Sequence, residues 1–271
     1  MKFVKLIVTV MIIISAAAFI HTYANAGASD VIQNIEDYLG DKSGLYSIRY
    51  FDLTGNDGFG INDNEEVYAA STIKVPINMY FWDEVSKGGI DPDIEMEYIE
   101  SYYEGGTGII QSQPVGTKYS LRELSRLSIE YSDNIATNML IGALGWENIL
   151  AYRQSMIDYK EIPAENYSTA FDMSIYLENL WKNSQTSGNW NELLTYMENT
   201  IFNDRINSML PDNVLVAHKI GNWETARNDV GIVFSDKPYI LCIMSKDTSD
   251  ASDMTMGEIS KMVYDYSSTR E

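Results

Sequence analysis

The sequence predicts an α+β fold: one antiparallel sheet flanked by helices, with an all-helical lobe inserted between its early and late strands. Three observations carry this. Strand-like segments cluster near the start, at Leu45–Leu53 and Glu66–Ala70, and near the end, at Val214–Lys219, Asp229–Phe234 and Tyr239–Ser245. The long stretch between them reads as helix. No repeat, low-complexity tract or linker divides the chain, so early and late strands are expected to share one sheet. Clefts form where lobes meet, which places the expected active site between the sheet and the helical lobe.

The elements follow in order. Lys2 and Lys5 precede an uncharged run, Leu6–Ile20, and then Ala24-Asn25-Ala26. Basic residues, an apolar run and a small-x-small site read as a secretory signal peptide over residues 1–26, and the run falls short of the ~20 residues of a membrane span. A retained N-terminal anchor is the other reading, and residues 27–271 form the expected folded body. Val31, Ile32, Ile35 and Leu39 have helical spacing, and Gly40 stops that helix. Leu45–Leu53 alternates like a strand, Thr54–Gly58 is a turn cluster, and Glu66–Ala70 is expected to return as the next strand. Helices are expected over Thr72–Val85, Leu121–Glu130, Ile135–Leu144, Asn148–Met156, Ala170–Asn183, Asn191–Ile201 and Asp204–Met209. Three strands and a closing helix, Met256–Tyr266, complete the chain.

Composition narrows the function. The 271 residues are 45% hydrophobic and 21% charged, which is globular. Lys and Arg number 19 against 39 Asp and Glu, a net charge of −20. A nucleic-acid partner is therefore not expected, because phosphate binding needs a basic footprint. A single cysteine, Cys242, rules out an internal disulfide, and two histidines make a multi-histidine metal centre improbable. No metal or organic cofactor is called for. Removal of the leader would leave His218 as the sole histidine, and the acidic surface suits an exported, soluble, monomeric protein.

Three short motifs carry chemistry. In Ser71-Thr72-Ile73-Lys74, a helical spacing of three puts the lysine amine beside the serine hydroxyl. A lysine of depressed pKa can take the proton that makes serine a nucleophile. Ser132-Asp133-Asn134 lies between two helices, where a serine can relay a proton and an asparagine can bind an amide; the same tripeptide also suits a helix cap. His218-Lys219-Ile220-Gly221 ends a strand, where a lysine can hold a substrate carboxylate and a glycine lets substrate approach the backbone. Each motif alone is weak; the ordered set S-x-x-K, S-D-N, K-x-G is specific.

With that set, the chain resembles the penicillin-recognising serine enzymes, class A β-lactamases above all. The resemblance runs from about Ser29 to Tyr266 and includes Gly105-Gly106-Thr107-Gly108, Ser168–Met173 and Asn228–Val233. It implies a β-lactamase/transpeptidase-like fold and an enzyme acylated by β-lactam amides. In that reading Ser71 is the nucleophile, Lys74 its activator and Ser132 the relay. Asn134 holds the substrate amide, and Lys219 supports the carboxylate. Gly221 opens the strand, the backbone N–H groups of Ser71 and Asn222 form the oxyanion hole, and Arg227 is a candidate second carboxylate clamp. The implied partner is a β-lactam or a D-amino-acyl peptide outside the cytoplasm. A DD-peptidase, or a non-hydrolysing envelope protein that binds or senses cell-wall fragments, is the alternative.

Two departures stand out. The family's loop carrying a glutamate and an asparagine for deacylation has only Ile157–Tyr167 available here. Glu161 and Glu165 are its candidate bases, with exposed loop charge as the other reading, and a long-lived acyl-enzyme follows if neither is placed. Ile220 stands where the family has Thr or Ser, which removes a hydroxyl expected to bind the substrate carboxylate, a loss of about 1.5–3 kcal/mol.

Overall fold

The computed structural model describes residues 26–55, 57–249 and 252–270. The expected leader lies outside them except for Ala26. Among the described residues no helix is long and apolar enough to cross a membrane.

The chain enters on α1 (Ala26–Leu39), which buries Ala28, Val31 and Ile35 along one face. Strand β1 (Leu45–Asp52) turns directly into β2 (Gly58–Ile61), with Tyr50 opposite Phe59. The returning strand is thus Gly58–Ile61 and not Glu66–Ala70. Its two glycines hide it from propensity, yet Phe59 and Ile61 keep the inward alternation of a half-buried strand. Of the expected Glu66–Ala70 strand only β3 (Val67–Tyr68) forms. A 3-10 turn, Ala70–Ile73, then runs into α2 (Lys74–Ser86), which is buried nearly all round and lies at the centre of the helical lobe.

The rest of the lobe is a short polar ladder of β4 (Glu95–Glu97) with β5 (Lys118–Ser120), then α3 (Leu121–Glu130), α4 (Asn134–Leu144) and α5 (Trp146–Met156). After them come β6 (Tyr167–Ser168), paired to β3, then α6 (Ala170–Ser184) and α7 (Gly188–Glu198). The segment 204–209, expected to be helical, makes turns instead. Buried polar bonds pull it onto the sheet: Ile206 N–H donates to Asp229 (3.0 Å), and Arg205 Nη1 donates to Asn228 O (2.7 Å).

Strands β7 (Leu215–Trp223), β8 (Ala226–Phe234) and β9 (Tyr239–Lys246) bring the chain back to β1, and α8 (Ser252–Thr269) closes it. The sheet order is β2-β1-β9-β8-β7, antiparallel throughout. Its two faces carry separate cores. Tyr239, Leu241 and Ile243 pack toward α1 and α8, while Ile240, Cys242 and Met244 pack into the core shared with the helical lobe. Burial on both faces explains why β9 reads as a continuous apolar run. It also makes Cys242 a packing residue, with its thiol pushed up by burial. The edge strand β7 is left facing α7 and the turn that carries Ser71.

Candidate active site

Ser71 sits in the 3-10 turn between β3 and α2, and the turn is pinned on three sides. Asn228, fully buried on β8, donates Nδ2 to Tyr68 O (2.9 Å) and Ala69 O (3.0 Å). Asn166 donates Nδ2 to Ala70 O (3.2 Å), and Ala69 N–H donates to Asn166 O (2.9 Å). On the third side lies β7, where a Cβ on Gly221 would stand 2.7 Å from Ala69 O and 3.1 Å from Ser71 N. Only glycine lets the turn lie this close to the strand. Ala70 has φ 51° and Ser132 also φ 51°, a left-handed backbone that non-glycine residues adopt at a cost and that gathers at functional sites.

Lys74 opens α2 with its side chain buried. Its Nζ donates to Ser132 O (2.6 Å), Asn134 Oδ1 (2.7 Å) and Ser132 Oγ (3.3 Å). Three acceptors match the three protons of an ammonium, and none of the bonds goes to Ser71. Burial pulls the Lys74 pKa down to about 7, against the opposing pull of the Asp133 and Glu104 carboxylates. The amine is therefore half neutral near neutral pH, and its lone pair can then accept the Ser71 proton.

The tripeptide at 132–134 serves as both cap and site. Asp133 is the N-cap of α4, accepting from Ala136 N–H (3.0 Å) through one oxygen. Its other oxygen accepts from Ile109 N–H (2.6 Å) and Ile110 N–H (2.8 Å), which ties down the glycine-rich loop. Gly108, with φ 115°, passes so close that a Cβ would stand 2.2 Å from Asp133 Cγ. With Asp133 holding the frame, Ser132 and Asn134 turn toward Lys74. Asn134 Nδ2 donates to Gly105 O (2.9 Å).

Lys219 is fully buried on β7 and donates to Ser132 Oγ (2.9 Å) and Ile220 O (3.0 Å). Burial, and after it the Lys74 charge, holds its pKa well below the usual lysine value. Ser132 Oγ thus receives protons from both lysines. Its lone pairs are occupied, so its own proton must point away from them. Behind β7, His218 Nδ1 meets Asp229 Oδ1 at 2.9 Å with both residues buried. This pair lies outside the cavity wall.

Ser71, Lys74, Ser132 and Asn134 line a cavity of about 410 Å³ between the lobes, together with Glu104, Thr107, Asn138, Asn166, Ile220, Asn222 and the rim aromatics Tyr68 and Trp223. Five residues singled out from sequence are not on its wall: Lys219 and Gly221 lie behind it on β7, Lys219 bonded to Ser132 Oγ and Gly221 against the turn of Ser71, and Glu161, Glu165 and Arg227 stand elsewhere. Glu161 and Glu165 are exposed on the loop between α5 and β6, away from the cavity wall. Arg227, across β7 from Asn222, gives Nη1 to Glu224 O (2.8 Å) and Ala226 O (3.0 Å), so its guanidinium braces the β7–β8 turn. The loop's own contribution is Asn166, whose Oδ1 is buried without a hydrogen-bond partner. In the sequence Asn166 stands beside Glu165 as a glutamate–asparagine pair that does not keep the family's spacing. Glu104, whose Oε2 accepts from Asn138 Nδ2 (2.9 Å), carried no signal beyond standing next to Gly105.

The chain resembles known proteins over nearly its whole length. The model of the beta-lactamase enzyme family matches residues 29–267. Beta-lactamase VEB-1 of Pseudomonas aeruginosa is 22% identical over 300 residues, covering 97% of this chain and 98% of that protein. The structure of PBP-A matches with a TM-score of 0.82 at 23% identity, over 88% of this chain and 95% of PBP-A. TLA-1 extended-spectrum beta-lactamase matches with a TM-score of 0.80 at 23% identity, over 89% and 99%. A mutant of PBP-A, TM-score 0.80, is an acyl-enzyme complex with penicillin G.

Proposed function

The chain belongs to the beta-lactamase enzyme family, and from that premise we propose that it is a serine hydrolase acylated at Ser71 by β-lactam amides, with water releasing the acyl group slowly. The observation that carries this reading is the hydrogen-bonded set Lys74–Ser132–Lys219 beside Ser71. Neutral Lys74 takes the Ser71 proton as Oγ attacks the lactam carbonyl. The C–N bond of the tetrahedral adduct breaks as the nitrogen receives a proton from Ser132 Oγ, whose proton is already turned away from both lysines. The Lys74 ammonium restores the Ser132 proton. Asn134 supports the substrate amide, and Lys219 contributes positive charge. The N–H groups of Ser71 and Asn222 stabilise the oxyanion, and stabilisation of this kind is usually the largest single contribution to catalysis of acyl transfer.

Deacylation is the slow step in this reading because, among the described residues, the one carboxylate on the cavity wall is Glu104, held by Asn138. A second reading, a penicillin-binding peptidase with a D-amino-acyl peptide as its natural substrate, draws on the same loop. In either reading we place the protein outside the cytoplasm as a monomer, exported by residues 1–26. The test is labelling with a fluorescent penicillin followed by peptide mapping. Label on the peptide containing Ser71, absent from Ser71→Ala, supports acylation. Label elsewhere, or equal label in the variant, rejects it.

A further inference from the structure

We propose that the buried Arg153 guanidinium, beside Tyr176 between α5 and α6, is a binding site for a small monovalent anion of the size of chloride. Neither residue lines the cavity, and the inference does not depend on the acylation reading.

Helix α5 buries only two side chains, Ile149 and Arg153. They are four residues apart, so they share the face that packs inward. A guanidinium thus occupies a position suited to an apolar residue, and it is 1% exposed. Its Nε and Nη1 are buried and meet no acceptor among the described residues. The Tyr176 hydroxyl, on α6, is also buried without a partner. Burial pushes the Tyr176 pKa up to about 12, and the Arg153 charge beside it opposes the rise. Three N–H protons and one hydroxyl proton are therefore buried side by side with no acceptor bonded to them. A buried charge left unpaired in this way is strongly unfavourable.

The buried carboxylate of α6 does not cancel this charge. Asp172 is 1% exposed, and its Oδ2 pairs with Lys160 Nζ (2.9 Å) while its Oδ1 accepts from the Tyr159 hydroxyl. The other acids of α5 and the loop, Glu147, Asp158, Glu161 and Glu165, are exposed. Arg153 and Lys160 thus share one buried carboxylate, which leaves a surplus of one positive charge. A monovalent anion supplies that charge and accepts from several donors at once. A water molecule would supply no charge and would bring two protons that need acceptors of their own. The next residue, Gln154, ties down the loop: Nε2 donates to Ile157 O (2.6 Å) and Lys160 O (2.9 Å), and Oε1 accepts from Ile162 N–H (3.0 Å). An anion on Arg153 braces the helix end from which this loop leaves.

The experiment follows thermal unfolding of the wild type and Arg153→Met in sodium chloride, sodium bromide and sodium gluconate, with anomalous diffraction from wild-type crystals grown in bromide. Equal ionic strength removes differences in general screening, and gluconate is too large for the site. In the wild type, chloride and bromide should raise the midpoint along a saturable curve. The rise should reach about 5 °C or more at a hundredfold excess over the dissociation constant. A bromide peak should lie within hydrogen-bonding distance of Arg153 Nε or Nη1. Arg153→Met puts an unbranched apolar side chain in the same position, and its midpoint should lose the saturable halide dependence. In gluconate it should be at least as stable as the wild type, because an apolar residue in place of a buried charge is often neutral or stabilising. Equal wild-type midpoints in the three salts, or the same halide shift in the variant, would overturn the proposal. So would bromide crystals with no anomalous peak at Arg153, whether or not a water stands there. If Arg153→Met fails to fold, the salt titration and the diffraction on the wild type still decide. None of these outcomes bears on acylation at Ser71.

Discussion

The two walls of the cavity are built differently. The wall formed by the turn before α2, the start of α4 and the edge strand β7 holds Ser71, Lys74, Ser132 and Asn134, with Lys219 buried behind it and the lysines and Ser132 joined by hydrogen bonds of 2.6–3.3 Å. The wall formed by the loop before β6 offers one amide, Asn166, with an unpartnered buried oxygen. That loop is well held: Lys160 Nζ lies 2.9 Å from Asp172, Tyr159 hydroxyl donates to Asp172, and Gln154 Nε2 bonds Ile157 O (2.6 Å) and Lys160 O (2.9 Å). Its lack of a cavity-facing carboxylate is therefore a property of a defined structure. Making the acyl-enzyme and clearing it are separable tasks, and one wall can be complete without the other.

Four changes break or sharpen this contrast, the largest effect first. Ser71→Ala should abolish acylation, by on the order of 10⁶-fold as for loss of a hydrolase nucleophile, measured as covalent labelling over hours. Lys74→Ala should slow acylation by roughly 10²–10⁴-fold, the usual worth of a general base. The sign of the pH dependence follows from the Lys74 pKa of about 7. The amine must be neutral to accept a proton, so the wild-type rate should rise with pH through about 7 and fall tenfold per unit below it. That limb should vanish in Lys74→Ala, and because Lys219 shares Ser132 it belongs to the pair.

Asp133→Ala probes the frame of the same wall. It removes the α4 cap and strands two loop N–H groups, so a loss of about 2–4 kcal/mol in thermal or urea unfolding is expected. The smallest effect belongs to the other wall. Glu161→Gln with Glu165→Gln should leave the adduct lifetime within about twofold, since both carboxylates are exposed away from the cavity. A lifetime lengthened tenfold or more would return one of them to the site.

The residues of the first wall were legible in the sequence because their chemistry is written in short motifs. The spacing of Ser71 and Lys74, the cap-like Ser132-Asp133-Asn134 and the strand-end Lys219-Ile220-Gly221 each mark a place where backbone geometry and side-chain role coincide. Most helices were legible from apolar periodicity, with α3 found end to end, while α7 runs Gly188–Glu198 where Asn191–Ile201 was expected and 204–209 makes turns. The second strand was missed because Gly58 and Gly60 lower strand propensity, and its place is set by pairing with β1. Arg205 was missed for a different reason: its burial and its bonds to Asn222 and Asn228 come from the packing of turns 204–209 onto the sheet. Arg227 looked equivalent in sequence, and only tertiary structure separates a buried cation behind β7 from one that braces a turn.

The most direct measurement is intact-protein mass spectrometry on residues 27–271 mixed with a penicillin and a cephalosporin, followed from seconds to hours beside Ser71→Ala. The account predicts a rise in mass equal to the whole penicillin, confined to protein with Ser71 intact and persisting for minutes or longer. Absence of any adduct together with absence of hydrolysis would contradict it. An adduct that clears within seconds would contradict the contrast between the two walls and require a water-activating group on the loop side.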